Sequence, residues 1–292
     1  MTACLVKKMK WKIEELLERE PSEENCPRVL YRGDWLQRAG CYCSGLVPKY
    51  AQRFCRQRGE PSVKGDDLLE QIKPILKRCL QGLSWWDKMK DPISNWDALV
   101  LAQHYGLDTR FLDWSSNPRV ALYFATHKFE NGRCVPKRKG DGDSVIWICD
   151  LNRATRCNRQ KGLPDLYADP KTEKTPFWRD ENLRTLFYRP NLRDYLGERV
   201  KNQGSVMCRQ VFYPTDQAYG KCCMIPLDKN VDFSGALEHV VISALDYTKI
   251  DRELLKQDIA ADFIFPDRND DCKRLEKALQ PLSNWPCCPW ER

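Results

Sequence analysis

Residues 101–125 read Leu-Ala-Gln-His-Tyr-Gly-Leu-Asp-Thr-Arg-Phe-Leu-Asp-Trp-Ser-Ser-Asn-Pro-Arg-Val-Ala-Leu-Tyr-Phe-Ala. Trp96 to His104 has helical apolar spacing, with Ser94 or Asn95 as its N-cap and Gly106 suited to its C-terminal end. Thr109 to Asp113 reads as a strand. Ser116 then caps a second helix, with Pro118 just inside its start and Val120, Ala121, Phe124 and Ala125 along it. Polar side chains crowd the joints between these elements. A helix start offers backbone N–H donors to an anion, so a ligand phosphate near Ser115 to Asn117 would meet them.

Working outward, Lys7 to Glu20 is an amphipathic helix ended by Pro21, and Val29 to Tyr31 is a strand running into Arg32-Gly33. Asp66 to Leu80 carries a leucine and isoleucine stripe and is expected to be a helix kinked at Pro74. Ser144 to Leu151, Arg199 to Met207 and Glu238 to Ser243 read as strands, and Leu183 to Phe187 as extended. Tyr247 to Lys256 and Asp270 to Leu279 read as helices. Residues 152–180 are polar and punctuated by prolines, which predicts an irregular insertion, and 281–292 an irregular tail. Mixed short elements without βαβ alternation predict an α+β fold. The organisation expected is an N-terminal helix within 1–27 and one domain over 28–280. No Gly-x-Gly-x-x-Gly or P-loop is present, which argues against a Rossmann dehydrogenase or a P-loop NTPase.

The 292 residues are 42% hydrophobic and 30% charged, which excludes a disordered chain and a membrane bundle. No apolar run approaches the ~18 residues of a spanning helix. A net charge of +7 is mildly basic, short of a dedicated nucleic-acid binder. Arg133, Lys137, Arg138 and Lys139 read first as a solvated surface loop and second as a phosphate-contacting one. Fifteen cysteines stand against three histidines, and no C-x₂₋₄-C pair repeats, so no metal is expected. Met1 to Glu20 has no apolar signal region, which predicts a cytoplasmic protein with reduced thiols acting mostly as small buried hydrophobes.

The motifs resemble those of the FRG domain family. Tyr31-Arg32-Gly33 is similar to its N-terminal motif. Gln103-His104-Tyr105-Gly106, then Thr109-Arg110-Phe111-Leu112-Asp113-Trp114, then Ala121-Leu122-Tyr123-Phe124-Ala125, are similar to its central one. Arg199 followed by Gln203-Gly204, and Phe265-Pro266-Asp267, are similar to its later ones. Asp108 departs from the usual proline, and Val206-Met207 from the usual frame after the glutamine.

The resemblance extends to ADP-ribosyltransferases. It implies a single domain with a mixed, mostly antiparallel sheet and NAD as substrate. On this reading Arg32 and the Ser115-Ser116-Asn117 turn clamp the pyrophosphate, beside Gly33. Tyr31, Tyr105 or Trp114 stacks on a ring, and Gln103, Arg110 and Asp113 complete the binding set. His104 is a second ribose contact. Gln203 stands where a late glutamate is expected, with Glu198 or Glu238 as substitutes. The implied acceptor is a macromolecule, nucleic acid or protein, in a toxin or anti-phage setting with a neutralising partner protein and no membrane. The alternatives are an inactive nucleotide- or RNA-binding module and a pure scaffold. Each residue also has an architectural reading. Arg32 would pair with a carboxylate, His104 with a backbone carbonyl, and Asp113 with Arg110 or a backbone N–H. Gln203 would tie two loops, and Trp85, Trp86, Trp96 and Trp114 would fill the core. If the functional reading holds, Tyr31 to Gly33 and Thr109 to Ser116 line one cleft.

Overall fold

The computed structural model describes residues 11–36, 46, 73–78, 94–104, 107, 109, 111–130, 133–154, 166–169, 185–190, 198–210, 226–266 and 277–278. Its centre is a six-stranded sheet built from β1 (Val29–Trp35), β2 (Phe111–Ser115), β5 (Ser144–Asp150), β6 (Leu186–Tyr188), β7 (Ser205–Arg209) and β8 (Leu237–Ile242). The order is β6-β7-β2-β1-β5-β8, with every neighbouring pair antiparallel. A two-stranded hairpin, β3 (His127–Glu130) and β4 (Arg133–Pro136), stands beside it. The fold is α+β, as expected.

Successive side chains of a strand point to opposite faces, and the two faces fill two cores. One holds Tyr31, Ile146 and Ile148 against helices α1 (Ile13–Glu18), α3 (Pro118–Thr126), α5 (Tyr247–Lys256) and α6 (Ala261–Ile264). The other packs Leu30, Leu112, Trp114, Cys149, Val206 and Cys208 against Leu227 and Phe233. Leu16 and Leu17 of α1 join the first core, and Arg119 of α3 ties α1 down through the Leu17 carbonyl at 3.1 Å and Glu20 at 2.7 Å.

Gly33 sets how closely α3 lies on β1. A Cβ there would sit 2.0 Å from the Ala121 carbonyl oxygen and 2.5 Å from the Ala125 nitrogen. The glycine therefore admits the close approach of a helix.

Three local expectations are corrected. Arg199 to Met207 is not one strand. Residues 198–202 form α4 (Glu198–Asn202), and Gly204 turns the chain at φ +54° into β7. Glu, Arg and Lys favour helix over strand, and glycine takes that φ without strain. Asn117, not Ser116, caps α3, accepting the Arg119 N–H at 3.0 Å, because β2 runs two residues further than expected. The basic segment is only in part a solvated loop: Arg133, Arg138 and Lys139 are exposed, but residues 133–136 form β4 and Lys137 is 4% exposed.

Ser94 caps α2 (Asn95–His104), accepting the Asp97 N–H at 3.0 Å. Residues 73–78 and 277–278 are helical within the expected helices at 66–80 and 270–279, whose remainders lie outside the described residues, as do most of 152–180 and the tail. Cys26, Cys134, Cys149 and Cys208 are free thiols, the last two fully buried. No helix among the described residues is long and apolar enough to cross a membrane.

Gly33→Ala is expected to lower the melting temperature by several degrees, since overpacking against backbone costs about 1–3 kcal/mol or more and a chain of this size loses about 2–4 °C per kcal/mol. Gly140→Ala is the control: a Cβ there meets nothing within 4 Å. Thermal melts of the two variants check this.

Candidate functional site

β1 pairs with β5 along its whole length but touches β2 through one register pair, Tyr31 with Ser115. Beyond that pair the two strands part, and a cleft of about 360 Å³ opens where they separate. Its walls come from β1, the end of α2, β2, α3, the start of α4, the turn after it, and Phe265. Tyr31, Arg32 and Gly33 thus share one cleft with Thr109, Asp113 and Ser115, across some eighty residues of sequence.

Arg32 spans the gap. Its Nη1 donates to the Asp113 carbonyl at 2.7 Å and its Nη2 to Asp34 Oδ2 at 3.1 Å. Its Nε is shut off from solvent with no hydrogen-bond partner. The carboxylate bridge is therefore present, through Asp34.

The Asp113 side chain is exposed on the cleft. Its Oδ1 accepts from Gln103 Nε2, the Gln103 carbonyl accepts from the Thr109 hydroxyl, and Thr109 Oγ1 accepts the Phe111 N–H at 3.2 Å. This chain sets which end of the Gln103 amide faces the carboxylate.

His104 ends α2 with its Nε2 buried and without a partner. Burial pushes the imidazole down to about 3, and the nearby Arg199 charge adds to the shift, so the ring is neutral. Arg199 lies 5.0 Å over the Phe265 ring, a cation held on an aromatic face.

Several expected contacts take other roles. Gln203 is a tie: its amide donates to the Ile264 carbonyl at 2.8 Å, and its own carbonyl accepts the Ser115 hydroxyl at 2.6 Å. The amides expected to receive a phosphate are already bonded. Ser116 N–H reaches the Gly204 carbonyl at 2.8 Å, Asn117 N–H reaches Ser115 Oγ at 2.9 Å, and Arg119 N–H is capped. Tyr31 and Trp114 are 2% and 3% exposed in the two cores, so neither offers a free ring face; burial pushes the Tyr31 hydroxyl up to about 12. Glu238 lies away from the cleft on β8, held by Arg153 at 2.5 Å. Tyr105, Arg110 and the Glu198 side chain lie outside the described residues.

The cleft also holds residues that the sequence did not single out. Trp35 (43% exposed) and Phe129 (61% exposed) line it, and Phe129 meets Phe265 edge-on at 5.3 Å. Trp35 follows the Arg32-Gly33 pair on the same strand. That adjacency was the available signal, whereas Phe129 comes to the cleft only through the hairpin.

This geometry is that of an α+β domain with a ligand-sized cleft at the split of its sheet. Residues 46–133 match the family model of the FRG domain, which covers Gln103 to Trp114 and α3. Arg32, Arg199, Gln203 and Phe265 lie outside that match but inside the same cleft. No curated protein and no solved structure matches the chain.

The His104 shift has a defined sign. Between about 6.5 and about 3 the unfolded imidazole carries a proton that the folded one does not, so stability falls as pH drops through that window. His104→Gln removes this contribution. Melting temperatures from pH 7 to pH 4 are expected to fall less steeply in the variant than in the wild type.

Proposed function

We propose that the chain is an ADP-ribosyltransferase that binds NAD in the cleft, releases nicotinamide and passes ADP-ribose to a nucleic acid or protein. What carries this reading is convergence. The Tyr-Arg-Gly motif, the central motif, the Arg199–Gln203 segment and Phe265 are scattered over the chain, yet all line one cleft. The cleft offers arginines for a pyrophosphate, exposed aromatic rings for planar groups, and an oriented carboxylate.

Asp113 takes the role for which Glu198, Glu238 and Gln203 were considered. As the bond from the ribose anomeric carbon to nicotinamide breaks, nicotinamide leaves with the bonding pair and the carboxylate faces the positive charge left on the sugar. The acceptor then bonds to that carbon, and its proton passes to Asp113. Holding the acceptor in line supplies much of the rate. Gln103 and Thr109 keep the carboxylate aimed, and neutral His104 offers a hydrogen bond to a ribose hydroxyl.

A binding module without turnover is the second reading. It is favoured by the Gln203 amide, engaged with Ile264 where the resemblance expects a glutamate, and by Asp34, which already neutralises Arg32.

The deciding experiment is incubation with NAD labelled on its adenylate, with and without cell lysate. Free nicotinamide and labelled macromolecule are expected, and Asp113→Asn is expected to lower turnover by about 10²-fold or more while NAD affinity stays within a few fold. Binding without nicotinamide release establishes the second reading, and no binding removes both.

Arg32→Lys separates recognition from charge. Lysine keeps an ion pair with Asp34 but lacks the fork that reaches Asp113 at the same time. NAD affinity is expected to fall more than tenfold, read by calorimetry alongside melting curves. Unchanged affinity with a lower melting temperature would make Arg32 architecture alone.

A further inference from the structure

A buried cation lies behind the cleft wall. Lys137 Nζ donates to the Ala125 carbonyl in the last turn of α3 at 2.7 Å and to Ser144 Oγ at the start of β5 at 2.9 Å. Ser144 and Tyr247 hydroxyls are 2.7 Å apart, and Tyr247 donates to the Gly142 carbonyl at 2.6 Å. The hydrogen bonds therefore run one way, from Lys137 through Ser144 and Tyr247 to Gly142. The same ammonium sits 4.0 Å from the centre of the Trp35 ring. Trp35 is on the cleft wall, and its backbone N–H donates to Asp34 Oδ1 at 2.8 Å, whose other oxygen holds Arg32.

A lysine needs a reason to be 4% exposed, because burying an ammonium is costly unless its donors are met. Two donors reach oxygen. The indole face receives the charge, while Trp35 remains 43% exposed towards the cleft. We propose that Lys137 is a positioning residue of the cleft: its clamped ammonium pins the Trp35 indole as the surface on which a planar ring of the ligand stacks. The proposal rests on the NAD reading only for the identity of that ring.

The arrangement depends on a charge that can be removed. Burial lowers the Lys137 amine to about 8, with Lys128 adding to the shift and the Asp34 and Asp141 carboxylates opposing it. His127 on β3, paired with Asp251 of α5 at 3.2 Å, also faces Lys137, and its pKa is lowered, chiefly by burial. Tyr247 on α5, with Asp143 and Asp141 near its hydroxyl, has its pKa raised, chiefly by burial. From pH 7 to 9.5 the amine is thus the group of this cluster that changes charge.

Subtracting the emission of Trp35→Phe from that of the wild type isolates the Trp35 signal, which is titrated from pH 6 to 10. A transition with its midpoint near pH 8 is expected in wild type. Lys137→Arg is expected to give a flat curve, because its charge persists, and Lys137→Met the high-pH signal throughout. NAD affinity is expected to fall about fivefold between pH 7 and 9.5 in wild type and to hold in Lys137→Arg. A Trp35 signal unchanged across the range, or a Lys137→Arg curve that follows wild type, overturns the proposal. If Lys137→Met does not fold, the wild-type titration still decides it. If NAD binds at neither pH, the proposed function falls while the Trp35 titration still tests Lys137.

Discussion

A carbonyl that leaves a β-ladder must find another donor, and the Asp113 carbonyl finds the Arg32 guanidinium. That exchange of partners lets the sheet part in its middle. Without it, the gap between β1 and β2 would leave an unpaired oxygen on the wall of a half-buried cleft, which costs about 1–3 kcal/mol. With it, the opening is bridged by a side chain anchored on the opposite side by Asp34. Among the described residues, the cleft is therefore set chiefly by the parting of the sheet itself. The remaining walls follow from elements that must sit near the parted strands in any case: α3 because it packs on Gly33, and the turn after α4 because Gln203 and Gly204 bond to the end of β2.

Charge in the cleft is balanced, with Arg32 and Arg199 set against Asp34 and Asp113. His104, which also lines it, adds no third positive charge, because burial and the nearby Arg199 keep its ring neutral. The exposed Asp113 carboxylate is oriented by hydrogen bonds through Gln103 and Thr109. A site of this kind sets arginines for an anion beside a carboxylate that faces the cleft.

The parts of the fold legible in the sequence were those fixed by local chemistry. The α5 stripe of Tyr247, Ile250 and Leu254, the Ser94 cap, Pro118 at the start of α3 and the apolar run of β5 needed no distant partner to be read. The misreadings were of two kinds. At Arg199 to Met207, valines at 200 and 206 concealed a helical turn and a left-handed glycine, because a few β-branched residues in a short window do not tell strand from helix. At Lys137, a run of basic residues looked solvated because nothing nearby announces that Ala125, Ser144 and Trp35 will close around it. The site was legible as a set of motifs but not as a division of labour. The sequence shows Tyr31, Trp114 and Ser115 as polar or aromatic beside Arg32, while their burial comes from packing on both faces of the sheet.

The single Tyr31–Ser115 pair also has a mechanical meaning. On one side of it, β1 is laced to β5 along its length and pressed onto α3 at Gly33, where no side chain stands between them, so strand, helix and neighbouring strand form one stiff plate. On the other side, β2 is laced to β7. Between these plates the ladder has one rung, and Arg32 acts as a tether across the seam. Load applied at the cleft concentrates at that seam, because breaking one rung and one side-chain bond takes far less work than shearing either plate. A bound molecule that replaced the tether's grip on Asp113 would alter how the two plates lean on each other, and its presence would be transmitted to the far edges of the sheet.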